Sequence, residues 1–161
     1  MKTKLISIIL VFAFVLALGA CNKTEYKTDV TAKTISDALI EAFASADGYR
    51  NADSDFIDFN MSGASELCED SAIMLSASNK NYDEFGVFKA KTEEDAKKLA
   101  DLCKTYLELK LVGTRPDYLP DEYPKMQSAT VKAYGCYVIY TILSDADTKT
   151  ADTVIKGILA K

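Results

Sequence analysis

The side chains of this chain with the means to do chemistry are three interior cysteines, a run of aspartates and a set of tyrosines, and no histidine is present to activate any of them. Without histidine the chain lacks the usual general base near neutral pH, the commonest metal ligand and the middle member of every Ser-His-Asp or Cys-His arrangement. Cys68, Cys103 and Cys136 form no C-x-x-C motif. They read as small apolar core residues, with at most one disulfide as the alternative; a metal or catalytic role would need partners that the spacing does not offer. Asp53, Asp55 and Asp58, with Asn51 and Asn60 nearby, have oxygen donors suited to calcium, but their spacing departs from D-x-[DN]-x-[DN]-G and no glutamate closes the loop. They read as a solvated acidic loop. Serine chemistry has neither G-x-S-x-G nor S-x-x-K to support it. The expectation is a chain with no catalytic residues, no metal and no cofactor.

Tyrosine is the remaining resource. Tyr118, Tyr123, Tyr134, Tyr137 and Tyr140 lie in or after a loop that gathers all three prolines, Pro116, Pro120 and Pro124. A tyrosine ring carries a flat apolar body and a polar tip at low entropy cost, which suits contacts with proteins, peptides or glycans. At least half of these rings are expected to pack in the core. Arg115, Tyr118, Tyr123 and Lys125 are the candidates for an interaction surface.

The address of the chain is written at its start. Residues 1–21 read MKTKLISIILVFAFVLALGAC: two lysines, an apolar run, then small residues up to a cysteine. That is the n-region, h-region and cleavage zone of an export signal. Leu18, Gly19 and Ala20 before Cys21 resemble a bacterial lipobox, in which the peptidase cuts ahead of a cysteine that carries diacylglycerol. The alternative is a retained helix, but the run from Leu5 to Leu18 is short of the roughly 20 residues that span a bilayer. The expected organisation is a signal peptide over 1–20, a lipidated tether over 21–31 that spaces the domain from the headgroups or is a terminus of no consequence, and one domain over 32–161. Cleavage removes Lys2 and Lys4 and leaves 17 basic against 24 acidic side chains, a net charge of −7. Capture of nucleic acid or of an anionic lipid surface by charge is thereby disfavoured.

The elements that must position these residues follow from periodicity. Ile35, Ala38, Leu39, Ala42, Phe43 and Ala46 repeat at helical spacing over 31–48, with Gly48 placed to cap. Residues 49–69 show no clean period, beyond a short helical turn around Asp55–Phe59. Ser71–Ser78 and Glu84–Lys91 read as an antiparallel pair of strands joined through Asn79-Lys80-Asn81. Thr92 with Asp95 is a variant capping box opening a helix whose stripe is Ala96, Leu99, Ala100, Cys103, Tyr106 and Leu107, ending near Gly113. A loop over 114–126 follows. Ser128–Tyr134 and Cys136–Ser144 read as strands joined by a tight hairpin at Tyr134-Gly135, the second apolar on both sides and so central. A last helix covers Thr148–Leu159, capped by Asp145 or Asp147. The order α-β-β-α-β-β-α predicts an α+β domain with an antiparallel four-stranded sheet and helices packed on one face.

Several segments carry a family resemblance in the right order: Tyr82-Asp83-Glu84-Phe85-Gly86-Val87-Phe88-Lys89-Ala90-Lys91 before an amphipathic helix, Pro120-Asp121-Glu122-Tyr123-Pro124-Lys125 before a strand, the hairpin Lys132–Val138, and Ser144-Asp145-Ala146-Asp147 before the last helix. Over Thr31–Leu159, and in its lipobox, the chain resembles the domain of unknown function 4358, a family of small lipoproteins from Gram-positive bacteria. The three further cysteines and an insertion at Arg115–Tyr118 depart from that pattern. The resemblance implies a lipid-anchored extracytoplasmic protein and supplies no catalytic residue to carry over. The functional expectation is a non-enzymatic binding or interaction module at the cell envelope, held on the extracytoplasmic face of the cell membrane and facing an envelope protein or ligand. A small-ligand receptor with an enclosed pocket, or a histidine-independent enzyme, are the competing classes.

Overall fold

The structure, a computed structural model, describes residues 24–43 and 48–161. Its elements in chain order are α1 (Ala32–Ala42), β1 (Tyr49–Asn51), α2 (Phe56–Asn60), α3 (Ala64–Leu67), β2 (Cys68–Ser76), β3 (Glu84–Ala90), α4 (Glu93–Gly113), α5 (Tyr123–Gln127), β4 (Thr130–Tyr134), β5 (Tyr137–Ile142) and α6 (Asp145–Leu159). The strands form one antiparallel sheet in the order β1-β2-β3-β5-β4.

β3 and β5 pair at the centre, with Val87 opposite Ile139 and Phe88 opposite Val138. Every residue of β5 is buried, and all of β3 except Lys89. Strands apolar on both sides need cover on both sides. Phe85, Val87, Tyr137 and Ile139 point to α1 and α6, packing on Ile35, Leu39, Ile155 and Leu159. Their neighbours Phe88, Val138, Tyr140 and Ile142 point the other way, to Leu99, Cys103 and Tyr106 of α4. The sheet is therefore sandwiched between helices, which corrects the expectation of helices on one face only: α4 and α6 follow successive hairpins but leave the sheet toward opposite sides.

The expected four strands become five. β1 is three residues long, too short for a periodic signal, and it pairs Arg50 with Leu75 at the edge of β2. The first helix stops at Ala42, short of the expected Gly48, because Phe43 turns extended (ψ 135°) to lay its ring against Phe85; Ala46 lies outside the described residues. The expected loop over 114–126 contains most of α5, a single turn with Pro124 near its start, where proline lacks no needed donor. The last helix begins earlier than expected and is capped by Ser144, whose Oγ accepts from the Asp147 amide at 3.1 Å, with Asp145 and Asp147 stabilising its first turn instead. The Thr92 cap is found where the sequence places it, and the expected tight hairpin forms one residue further on, with Gly135 (φ +61°) and Cys136 as the turn between the paired Tyr134 and Tyr137.

Residues 24–31, expected as a spacer, run along the domain. Tyr26 bridges to Ala160 and meets the Tyr134 ring edge-on at 5.7 Å, and the Tyr137 hydroxyl donates to the Val30 carbonyl at 2.7 Å.

Burial sets the thiol chemistry. Desolvation pushes the Cys103 thiol up to about 12 and the Cys68 thiol up to about 11, while Cys136 sits half-buried on the β4–β5 turn. All three are free. Since these folded thiols hold their protons above the ordinary value of 9.0, the folded state binds more protons than the unfolded one between about pH 9 and 12, and stability falls as pH rises through that window. Iodoacetamide at pH 8 is expected to modify Cys136 in the folded protein and Cys103 only on unfolding. Mass spectrometry of the alkylated peptides checks this, and Cys103 labelled at the Cys136 rate would contradict it.

Candidate functional site

The most buried cluster of ionisable groups among the described residues lies at the start of β3; Asp152 on α6 gathers a more exposed one, accepting from Lys132, Tyr134 and Lys156. Glu84 is 4% exposed and faces α4. Its Oε1 accepts from the Tyr106 hydroxyl at 2.6 Å and from the Tyr140 hydroxyl at 2.8 Å, while Lys110 Nζ donates to Oε2. Lys110 also donates to the Tyr106 hydroxyl at 3.0 Å and lies 5.4 Å from the centre of that ring. Burial first, and then the Glu84 charge, push both tyrosine hydroxyls well above their usual value, so they stay protonated and donate.

Local sequence explains the geometry. Tyr106 and Lys110 are one helical turn apart on α4, so both reach the same point of the sheet. Tyr140 stands opposite Gly86 in the β3–β5 register, and its ring lies across the glycine: a Cβ at position 86 would be 2.2 Å from Tyr140 Cε1. Only glycine there lets the ring reach Glu84. A carboxylate already accepting from three donors is not a free base. The cluster ties the second half of α4 to the centre of the sheet.

Outside it lies a groove of about 410 Å³ between α2 and α4, lined by Phe56, Phe59, Asn60, Tyr106, Leu109 and Lys110. Its rim is apolar and uncovered. Phe59 and Val112 are each 87% exposed and Leu109 is 66% exposed, the large apolar side chains that solvent reaches among the described residues together with Tyr118 at 67%. Leu109 and Val112 share a face of α4 at i, i+3 spacing. Phe59 and Leu109 line the groove, and Val112 lies one turn beyond Leu109 on α4. A second smaller groove, of about 210 Å³, continues past Phe59 to Asp53 and Asp55.

The larger groove, of about 640 Å³, follows β2 and α1, but its acids are engaged: Asp70 caps Ala32 N at 2.7 Å and Asp37 pairs with Lys33 at 2.6 Å. No group of three or more histidine, cysteine, aspartate or glutamate residues among the described residues is placed to hold a metal ion. No helix among them is long and apolar enough to cross a membrane.

The four candidates for an interaction surface separate. Tyr118 is exposed, and Arg115 beside it is exposed but holds Asp117 at 2.6 Å. Tyr123 is half-buried. Lys125 turns inward to Asp83 and Glu122, each at 2.7 Å, pinning α5 to the β2–β3 hairpin. Burial lowers the tendency of Lys125 to hold its proton, but its bonds to the two carboxylates outweigh this and leave it raised. Of the other tyrosines, Tyr134, Tyr137 and Tyr140 are core. Cys21 and its recognition residues Leu18, Gly19 and Ala20 lie outside the described residues. Sequence reading missed Glu84, Phe59, Leu109 and Val112. The one available signal was that Leu109 and Val112 fall off the helical stripe carried by Leu99, Cys103 and Tyr106.

No curated protein and no solved structure matches the chain. A family model does, over residues 64–143, from the first residue of α3 to the residue after β5. This is narrower than the resemblance over 31–159 and contains β2 to β5, α4, the whole Glu84 cluster and Gly86. Through that segment the chain belongs to the family described as Domain of unknown function (DUF4358).

Proposed function

We propose that the chain is a lipoprotein, anchored through Cys21 to the extracytoplasmic face of the cell membrane, which acts without catalysis as a binding module for another component of the envelope. The observation that carries the binding role is the position of the Phe59, Leu109 and Val112 rim. Thr24 lines one cleft with Glu93, the first residue of α4, and with Gly135 and Lys161. Leu109 lies further along the same helix, about 24 Å away at a rise of about 1.5 Å per residue. Three residues from Cys21 to Thr24 reach at most about 11 Å whatever their conformation. Lipid at Cys21 would hold the Glu93 end within reach of the membrane, and Leu109 lies about 24 Å along α4 from that end, beyond the reach of the tether. Acyl chains contribute roughly 0.8 kcal/mol per buried CH₂, so two or three of them suffice for a stable anchor.

Cys21→Ala tests the anchor. The variant is expected to accumulate as uncut precursor, to lose metabolic labelling by a radioactive fatty acid, and to keep the folded circular dichroism of the parent. A Cys21→Ala chain that still carries label would refute the assignment.

A further inference from the structure

The rim and the charges around it define the chemistry of what it would bind, a reading that rests on the binding role proposed above. Phe59 borders both grooves, the apolar one toward Leu109 and the smaller one that ends at Asp53 and Asp55. Among the described residues neither aspartate has an ion-pair partner, and Asp55 makes no side-chain cap to α2. On the α4 side Glu108 is exposed beside Leu109, and the helix ends there, with the negative pole of its dipole at Val112 and Gly113. Of the cations, Lys110, which lines the groove, is paired with Glu84 and Arg115 with Asp117, while Arg50 on β1 is exposed and lines neither groove. An apolar seat is thus bordered on two sides by uncompensated negative charge and by no free positive charge among the side chains lining it.

We infer that the groove between α2 and α4 binds a protein segment that inserts an aromatic or aliphatic side chain beside Phe59 and Leu109 and carries lysine or arginine on both flanks, toward Asp53 and Asp55 on one side and the end of α4 on the other. The apolar contact supplies affinity, and the flanking charges supply selectivity and approach rate. An anionic membrane surface is the wrong partner for this rim on charge.

The test uses the full chain immobilised by a tag after Lys161, which lies at the Thr24 end and leaves the rim free. A randomised dodecapeptide library is selected on the parent and counter-selected on Phe59→Ser. The enriched peptides are expected to combine an apolar anchor with an excess of lysine and arginine over aspartate and glutamate. Their affinity should fall at least tenfold for Asp53→Asn/Asp55→Asn and weaken as salt is raised. Neutral or acidic peptides, or none that separates the parent from Phe59→Ser, would overturn the inference. So would a concentration-dependent dimer dissolved by Phe59→Ser, which would assign the rim to a second copy of the chain, or flotation of a Cys21→Ala chain on anionic vesicles that Phe59→Ser abolishes. The mass of the N-terminal peptide from the same preparation is read separately. Basic peptides selected by a chain without acyl mass would remove the lipid anchor and leave the groove chemistry standing, and an acylated chain that selects no basic peptide would do the reverse.

Discussion

Gly86→Ala should lower the stability of the domain by about 3 kcal/mol, near the top of the usual range for overpacking a core with added carbon. The new Cβ would stand 2.2 Å from Tyr140 Cε1 and 2.9 Å from both Cδ1 and Cζ. Neither side can yield cheaply. The Tyr140 ring is fully buried, packs against Phe88 and Tyr106, and is held at its far end by the bond to Glu84. The β3 backbone is hydrogen-bonded to β2 on one side and β5 on the other. For a domain of this size the loss corresponds to a fall in Tm of about 10 °C. Thermal and urea unfolding of Gly86→Ala, Tyr140→Leu and the double variant measure it. The cost of the alanine should shrink sharply where Tyr140 is already leucine, since the two positions share one space and cannot behave additively. An alanine that costs less than about 0.5 kcal/mol, the scatter of ordinary surface changes, would show that the ring does not need the glycine.

This pairing also shows what sequence alone could reach. The hairpins, the central placement of β5 and the Thr92 cap were legible because each rests on local chemistry: turn residues, an apolar run, a hydroxyl three residues before an acid. The closeness of Gly86 and Tyr140 was not, because it depends on strand register between segments 54 residues apart. Glu84 was hidden for the same reason. A glutamate opening a strand reads as solvent-facing, and only the helix laid across it by tertiary packing brings Tyr106 and Lys110 to its carboxylate. Lys125 misled in the opposite direction: in a proline-rich polar loop it reads as surface, yet Asp83 of the preceding hairpin draws it inward. The two-sided helix cover was half legible, since β5 is apolar on both faces, but which helix takes which face is decided by the turn of the chain after each hairpin. The rim is the clearest case. Phe59 and Val112 belong to short or terminal helical turns where periodicity is too weak to separate core from surface, and their exposure is visible only once the fold fixes what could have covered them.

Glu84→Leu should destabilise the fold by about 3 to 4 kcal/mol, because it strands three donors at once. The Tyr140 hydroxyl is deeply buried and bonds to Glu84, and the Tyr106 hydroxyl would keep only the lysine, itself a donor. Leaving a buried donor unpaired costs about 1–3 kcal/mol each. Lys110 adds less than a sealed charge would, since its side chain is 29% exposed and can turn to water. Glu84→Gln keeps an acceptor oxygen for the tyrosines and should cost about half as much. The decisive comparison is the triple variant Glu84→Leu/Tyr106→Phe/Lys110→Met with Tyr140→Phe added in a second step. Replacing a polar cluster by apolar groups of similar shape is often neutral, whereas removing one member is not, so stability should return as each stranded donor is removed. Urea unfolding with a constant m value measures the series. If the apolar replacements fail to recover stability over Glu84→Leu alone, the loss came from repacking at the start of β3, and the cluster does not owe its cohesion to the carboxylate. Recovery of stability would instead show that the loss in Glu84→Leu comes from the donors it leaves unpaired, so that the join between the second half of α4 and the sheet depends on Glu84 satisfying them.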